Sequence, residues 1–187
     1  MNLATSALKI CVASLVLFTA GSAIGEEKLW HVKAIHPDGK LLDVVAIDKQ
    51  GKQYPLKVIQ NGDVHLMDVK AIVDGKRLPV KLVATPADKL PGVKAIAQDG
   101  TLLPIYALST EGQKLEVRGV KRSGNIIHIK AIGPKGEYYG VKAIAPAGWV
   151  FDIKGIRMSA DGAEGKVNGV DFEAHVKALP EAPETWN

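Results

Sequence analysis

Hydrophobic positions along the chain recur on two periods at once. Within short segments apolar and polar residues alternate, the signature of a β-strand with one buried face. The segments themselves repeat. The tetrad Val-Lys-Ala-Ile begins at Val32, Val69, Val93 and Val141, and close variants begin at Val44, Leu56, Val80, Ile105, Val117, Ile129, Ile153 and Val176. From Val32 to Ile153 successive starts lie 11 to 13 residues apart, mostly 12. Repetition of this kind decides fold class before local propensity does.

Each unit is a turn followed by a strand. His36-Pro37-Asp38-Gly39, Ala97-Gln98-Asp99-Gly100 and Gly133-Pro134-Lys135-Gly136 end in glycine at one register, as do the turns closed by Gly51, Gly112, Gly124 and Gly148. This suits a type I turn closed by a residue of positive φ, the geometry of a short hairpin loop. Strand alternation then assigns two faces. One reads large apolar, Val or Ile, then Ala or Gly, as in Leu42, Val44, Ala46 and in Phe151, Ile153, Gly155. That face is the expected core. The other reads polar, Lys, Ile, as in Asp68, Lys70, Ile72. The predicted fold is all-β: an antiparallel meander of about a dozen short strands, curled into a barrel or a two-layer sheet. A β-solenoid or a threefold β-prism or trefoil also fits the strand count.

Two features complicate a plain meander. Pro55, Pro79 and Pro104 stand just before the tetrad in alternate units, and proline donates no ladder hydrogen bond. A bend or bulge is expected there. Beyond Ile156 the period fails, and Ser159 to Gly169 is rich in Gly, Asp and Glu. A last strand, Phe172 to Leu179, then alternates cleanly. Its text His175-Val176-Lys177-Ala178-Leu179 nearly repeats His31-Val32-Lys33-Ala34-Ile35, so the two ends are expected to pair and close the sheet.

The first residues read as a secretory signal peptide: Lys9, an apolar run from Ile10 to Ala20, and small residues that allow cleavage after Ala23 or Gly25. The expected organisation is a signal peptide over 1–25, one β-repeat domain over 26–180 and a disordered tail over 181–187. Export would place the protein in the periplasm or outside the cell. Cys11, the single cysteine, lies in the apolar run, so the processed chain would hold neither a disulfide nor a thiol nucleophile. No integral membrane span is expected in the mature chain.

The VKAI tetrad followed by a turn and Asp-Gly resembles short repeats of uncharacterised exported bacterial proteins. The resemblance covers most of the processed chain. It implies a bacterial envelope context and carries no activity or catalytic residue.

Charge and chemistry narrow the function. Without Lys9 the chain keeps 23 basic and 20 acidic residues, a mild excess with no run of like charge, and nucleic acid is not an expected partner. The outward lysines Lys33, Lys57, Lys70, Lys94, Lys130, Lys142, Lys154 and Lys177 are the candidate binding face. Lys81 and Arg118 occupy the same register. On neighbouring strands they would form a basic band suited to acidic glycans or other envelope polyanions. Carboxylates on the same face (Asp43, Asp68, Glu116 and Asp152) would neutralise part of it. His31, His128 and His175 share one register but lack metal-ligand spacing, and no metal or cofactor is expected. No Gly-x-Ser-x-Gly elbow is present. The expected protein is therefore a non-catalytic exported structural or binding module. It would act through its repeat face on an envelope or extracellular polyanion, or by self-association. The alternative is a glycan-binding protein or hydrolase with a localised site in the irregular stretch 157–169.

Overall fold

The computed structural model describes residues 28–86, 89–159 and 162–181. The expected signal peptide and the tail beyond Glu181 lie outside the described residues. Twelve strands form one antiparallel sheet: β1 (Lys28–Ile35), β2 (Leu41–Ile47), β3 (Gln53–Gln60), β4 (Met67–Val73), β5 (Lys76–Val83), β6 (Gly92–Ile96), β7 (Leu102–Leu108), β8 (Lys114–Ser123), β9 (Ile126–Ile132), β10 (Tyr138–Ile144), β11 (Val150–Ile156) and β14 (Ala174–Pro180). Between β11 and β14 a small separate hairpin pairs β12 (Gly165–Val167) with β13 (Val170–Phe172). The all-β antiparallel reading of the repeat holds, with no helix among the described residues.

Each of the twelve strands pairs with three others rather than two. They fall into four corners of three mutually paired strands: corner I (β1, β2, β3), corner II (β4, β5, β14), corner III (β6, β7, β8) and corner IV (β9, β10, β11). Six further pairings join every corner to every other corner once: β3–β4, β5–β6, β8–β9, β11–β14, β1–β10 and β2–β7. This is the connectivity of a truncated tetrahedron with one strand pair along each edge. The sheet closes as a ring, so none of the twelve strands offers a free edge to another chain.

The two ends of the chain do not pair with each other. β1 pairs with β2, β3 and β10, whereas β14 pairs with β4, β5 and β11. Their near-identical text marks equivalent places in two different corners: His31 faces Lys57 in corner I, and His175 faces Lys81 in corner II.

The prolines mark where a strand changes partner, and the strands run through them unbroken. β3 pairs with β2 up to Pro55↔Val45 and with β4 from Leu56↔Ala71. β5 leaves β4 at Pro79↔Lys70 and joins β6 at Val80↔Ala95. β7 leaves β6 at Pro104↔Lys94 and joins β2 at Ile105↔Ala46. At the step between ladders a missing N–H costs least, which is why proline is tolerated inside strands of a closed sheet.

The turns keep the predicted geometry. In six of them the glycine N–H donates to the carbonyl three residues back, as Gly39 to His36 (2.8 Å) and Gly148 to Ala145 (2.9 Å), and the glycine φ lies between 79° and 87°. Gly124 is different. It opens a two-residue connection between Ser123 and Ile126, with a φ of 57°. Asp74-Gly75 and Asn168-Gly169 have positive φ at both residues, as a type I′ hairpin requires.

The inward rows form one core. Along most edges the tetrad Val or Ile of one strand faces the small residue of the other, as in Val32↔Ala143 and Val44↔Ala107. Within a corner the same small residue faces the large residue of a different strand, as in Leu42↔Ala34, Tyr54↔Ala46, Tyr139↔Ala131 and Phe151↔Ala143. Ala34, Ala46, Ala71, Ala95, Ala107, Ala131, Ala143 and Ala178 are completely buried. Three strands converge at each such place, so side-chain volume must be small there.

β3 and β5 break the small-residue rule, with Val58 and Leu82, and around Leu82 the break is compensated. β5 carries Leu82 at the small position, and the equivalent residues of β8 and β11 are Gly119 and Gly155. A methyl on Gly119 would lie 2.8 Å from Ile127 Cγ2 and 3.3 Å from Leu82 Cδ2. A methyl on Gly155 would run into Leu82 Cδ1 and lie 3.1 Å from Ile127 Cβ. Overfilling a core of this density costs roughly 1–3 kcal/mol. Gly155→Ala is therefore expected to destabilise the protein by about that amount. The penalty should shrink in a Leu82→Ala background, where the leucine no longer fills the space. Urea unfolding of the four members of this double-mutant cycle checks it; an equal penalty in both backgrounds contradicts the packing argument.

Candidate functional site

The outward face repeats a single chemical unit. At the middle of five of the six edges two cations stand directly opposite each other: Lys33↔Lys142, Lys57↔Lys70, Lys81↔Lys94, Arg118↔Lys130 and Lys154↔Lys177. The sixth edge carries Val45↔Tyr106. All eight lysines of the candidate face occupy these places. They are brought together two by two, on separate edges of a closed surface.

Eight of the ten cations also meet a carboxylate or a histidine of their own corner. Lys33 donates to Asp43 at 2.5 Å. Asp68 takes Lys177 at 2.5 Å and Lys70 at 3.2 Å. Asp152 takes Lys142 at 2.6 Å and Lys154 at 3.0 Å, and Lys142 also reaches Glu181 at 2.5 Å. Arg118 pairs with Glu116 at 2.8 Å and donates to the Leu90 carbonyl at 2.7 Å. Burial alone would raise the Asp68 and Asp152 carboxyls, but their lysine partners hold both below the ordinary 3.8. Six of the ten cations at these positions thus pair with four corner carboxylates, Asp43, Asp68, Glu116 and Asp152.

Turn carboxylates serve a different purpose. Asp38, Asp48, Asp63 and Asp99 each accept the backbone N–H two residues on, from Lys40, Gln50, His65 and Thr101. They hold loop conformation. Where three turns meet, a shallow cavity of about 110 Å³ is lined by His36, Asp38, Thr110, Glu111, Pro134 and Tyr139 among others.

The three histidines of the repeat register each sit against a lysine. His31 Nδ1 lies 2.9 Å from Lys57 Nζ, His175 Nδ1 2.7 Å from Lys81 Nζ, and His128 Nδ1 3.4 Å from Lys154 Nζ. An ammonium only donates, so each Nδ1 accepts and the ring proton sits on Nε2. Burial first and the facing lysine second hold all three imidazoles below their ordinary 6.5.

One corner departs from the others. Glu164 and Phe172 of the β12–β13 hairpin region pack against Lys81 and His175. Phe172 of β13 lies under the Lys81 ammonium, 4.6 Å from ring centroid to Nζ, and stacks edge-on with His175 at 4.9 Å. The Glu164 side chain is only 4% exposed. It accepts from Ser159 Oγ at 2.8 Å and from the backbone N–H groups of Met158 and Ser159, and it stands 3.9 Å from His175 Nε2. Burial, helped by Lys70, lowers Lys81 to about 8. Arg157, 8% exposed, donates to the Gly162 carbonyl at 2.7 Å, while its buried Nε has no partner among the described residues. The irregular stretch expected to hold any localised site is thus the stretch that gathers Ser159, Glu164 and Arg157 beside Lys81 and His175. Lys81 shares the register of the candidate lysines, and nothing in its own unit singles it out from them. The β12–β13 hairpin did carry a signal, the Asn168-Gly169 dipeptide between valines.

The histidine contacts fix a pH dependence. An imidazole whose folded value is lowered takes up protons more readily when unfolded, so stability falls as pH drops below 6.5. Asp68 and Asp152 lose stability only below 3.8, a separate window. Unfolding free energy is therefore expected to decline on acidification between pH 6.5 and the carboxylate range. The triple variant His31→Gln, His128→Gln, His175→Gln should flatten that part of a urea-unfolding pH series. An unchanged slope contradicts neutral, lysine-facing histidines.

No curated protein and no solved structure matches this chain. A family model does, over residues 26–179, nearly the whole of the region that forms the closed sheet. The chain belongs to that family, a family of unknown function (DUF7486).

Proposed function

We propose that this is a non-catalytic exported module that binds an acidic polymer, such as an acidic glycan or another envelope polyanion, through the cation pairs on its edges. The observation that carries the reading is the like-charge register: two ammonium or guanidinium groups opposite each other on five edges. Like charges directly across a ladder are destabilising on their own. Four corner carboxylates offset part of that cost. An anionic group spanning a pair offsets more, so ligand binding relieves repulsion already present in the folded protein.

Geometry sets the mode of binding. The pairs lie on different edges, so one flexible polymer wraps the surface and engages several of them. Each contact is weak and screened by salt, and affinity comes from their number. The signal-like first 25 residues support the reading, because export would bring the module to envelope polymers.

The test uses residues 26–187 and polygalacturonate, with affinity measured by calorimetry across a sodium chloride series. Affinity should fall steeply with salt. Lys57→Gln with Lys70→Gln should weaken binding at every salt concentration and lower the log–log slope by about 2, one for each lost contact. Removing further pairs should weaken it stepwise. Binding that ignores salt, or that vanishes with one substitution between Arg157 and Gly169, contradicts the reading.

A further inference from the structure

One edge of the closed sheet breaks the cation pattern. Between β2 and β7 the place held elsewhere by two facing cations is taken by Val45↔Tyr106. A groove of about 390 Å³ lies beside that edge, lined by Leu102, Pro104 and Tyr106 together with Lys49, Gln50 and Lys114 among others. Leu102, Pro104 and Tyr106 are alternate residues of β7 and share its outer, half-buried face. They make an apolar strip roughly 13 Å long, at about 3.3 Å per residue.

The uncommitted charge around the strip is positive. Lys49 and Lys114 are exposed and lie outside ion-pair distance of any carboxylate among the described residues. The carboxylates nearby are already held. Asp48 accepts the backbone N–H groups of Gln50 (3.0 Å) and Lys52 (2.8 Å) and the Tyr54 hydroxyl (2.9 Å). Asp99 accepts from the Thr101 N–H at 2.9 Å and from Thr101 Oγ1 at 3.0 Å. Glu116, opposite Tyr106 in corner III, holds Arg118 at 2.8 Å.

We propose that this groove binds a uronic acid residue of a glycan, a pyranose ring that carries a carboxylate. The proposal rests on the polyanion reading above and narrows the polymer to an acidic polysaccharide. A pyranose has a C–H face that packs flat on a tyrosine ring and a proline. Its hydroxyls pair with the Gln50 amide, and its carboxylate pairs with Lys49 or Lys114. A polymer of phosphates offers charge alone and gains nothing from Tyr106 or Pro104. Lys94 faces Pro104 across β6 and β7, and Lys81 faces Lys94 across the next edge. A chain held at that cation pair therefore runs on over Pro104 into the groove, where ring contact takes the place of the missing pair.

The test titrates trigalacturonate, too short to wrap several edges, into isotope-labelled residues 26–187 and follows backbone amide shifts. The shifts should be largest at Gln50, Thr101 and Tyr106, which line the groove. Calorimetry then compares polygalacturonate with polyphosphate. Tyr106→Leu should weaken polygalacturonate binding about tenfold, the scale of one ring stacked on an aromatic side chain. It should leave the salt slope and the polyphosphate affinity unchanged. Tyr106→Phe keeps the ring and should bind as the unaltered protein does. Salt-dependent binding of polygalacturonate that Tyr106→Leu leaves intact overturns this inference while the polyanion reading stands. Trigalacturonate shifts that spare the groove do the same. Binding of neither polymer removes both.

Discussion

The rest of the structure depends on the small residue at the third inward position of ten of the twelve strands. An antiparallel pair buries one face, and three such pairs can converge only if the side chains at the meeting place leave room. Ala34, Ala46, Ala107, Ala131 and their equivalents each sit between a Val or Ile from across an edge and a large residue from within a corner. With this rule satisfied at most convergences, twelve strands bury a common core and leave no open ladder. Where β5 supplies Leu82 instead, Gly119 and Gly155 take up the difference. Volume is conserved across the meeting place although each local residue departs from the repeat. The resulting core encloses Trp30, Met67, Tyr139 and Phe151 together with the valine rows, and a domain whose described residues hold no cysteine relies on such burial for its stability.

The same geometry sorts charge. Edge centres receive the tetrad lysines, and corners receive the residues that precede the tetrad. Turn carboxylates gather where three hairpin loops meet and are occupied by their own backbones. The outer surface therefore carries cations in facing pairs along its edges and anions in the loops between them. The corner that packs against the β12–β13 hairpin region stands apart, because there the cation is partly dehydrated instead of solvated.

Much of this was legible in the sequence. The period gave the strands, the glycines gave the turns, and the alternation separated core rows from the lysine row residue by residue. Partner choice was not legible. Twelve nearly equivalent strands present the same Val-Lys-Ala text to one another, so any pair satisfies the local pattern, and His31–Ile35 and His175–Leu179 look like natural neighbours for that reason. What decides between pairings is distributed: the prolines at the ladder changes, the two-residue connection at Gly124-Asn125, and the Leu82–Gly119–Gly155 exchange. Each reads as an irregularity in one unit and acquires meaning only when strands distant in sequence are side by side. The surroundings of Lys81 were hidden for the same reason. Its lysine belongs to the repeat, and Phe172, Glu164 and Ser159 lie roughly 80 to 90 residues further along the chain.

The central claim is the closed network in which each strand exchanges partners at a corner. Interstrand nuclear Overhauser contacts on isotope-labelled protein test it most directly, because they report which backbones lie side by side. The network requires contacts between Val44 and Ala107, between Val32 and Ala143, and between Val176 and Gly155. Contacts between Val32 and Val176 in place of these would mean that the chain closes end to end, and the four-corner arrangement would be wrong.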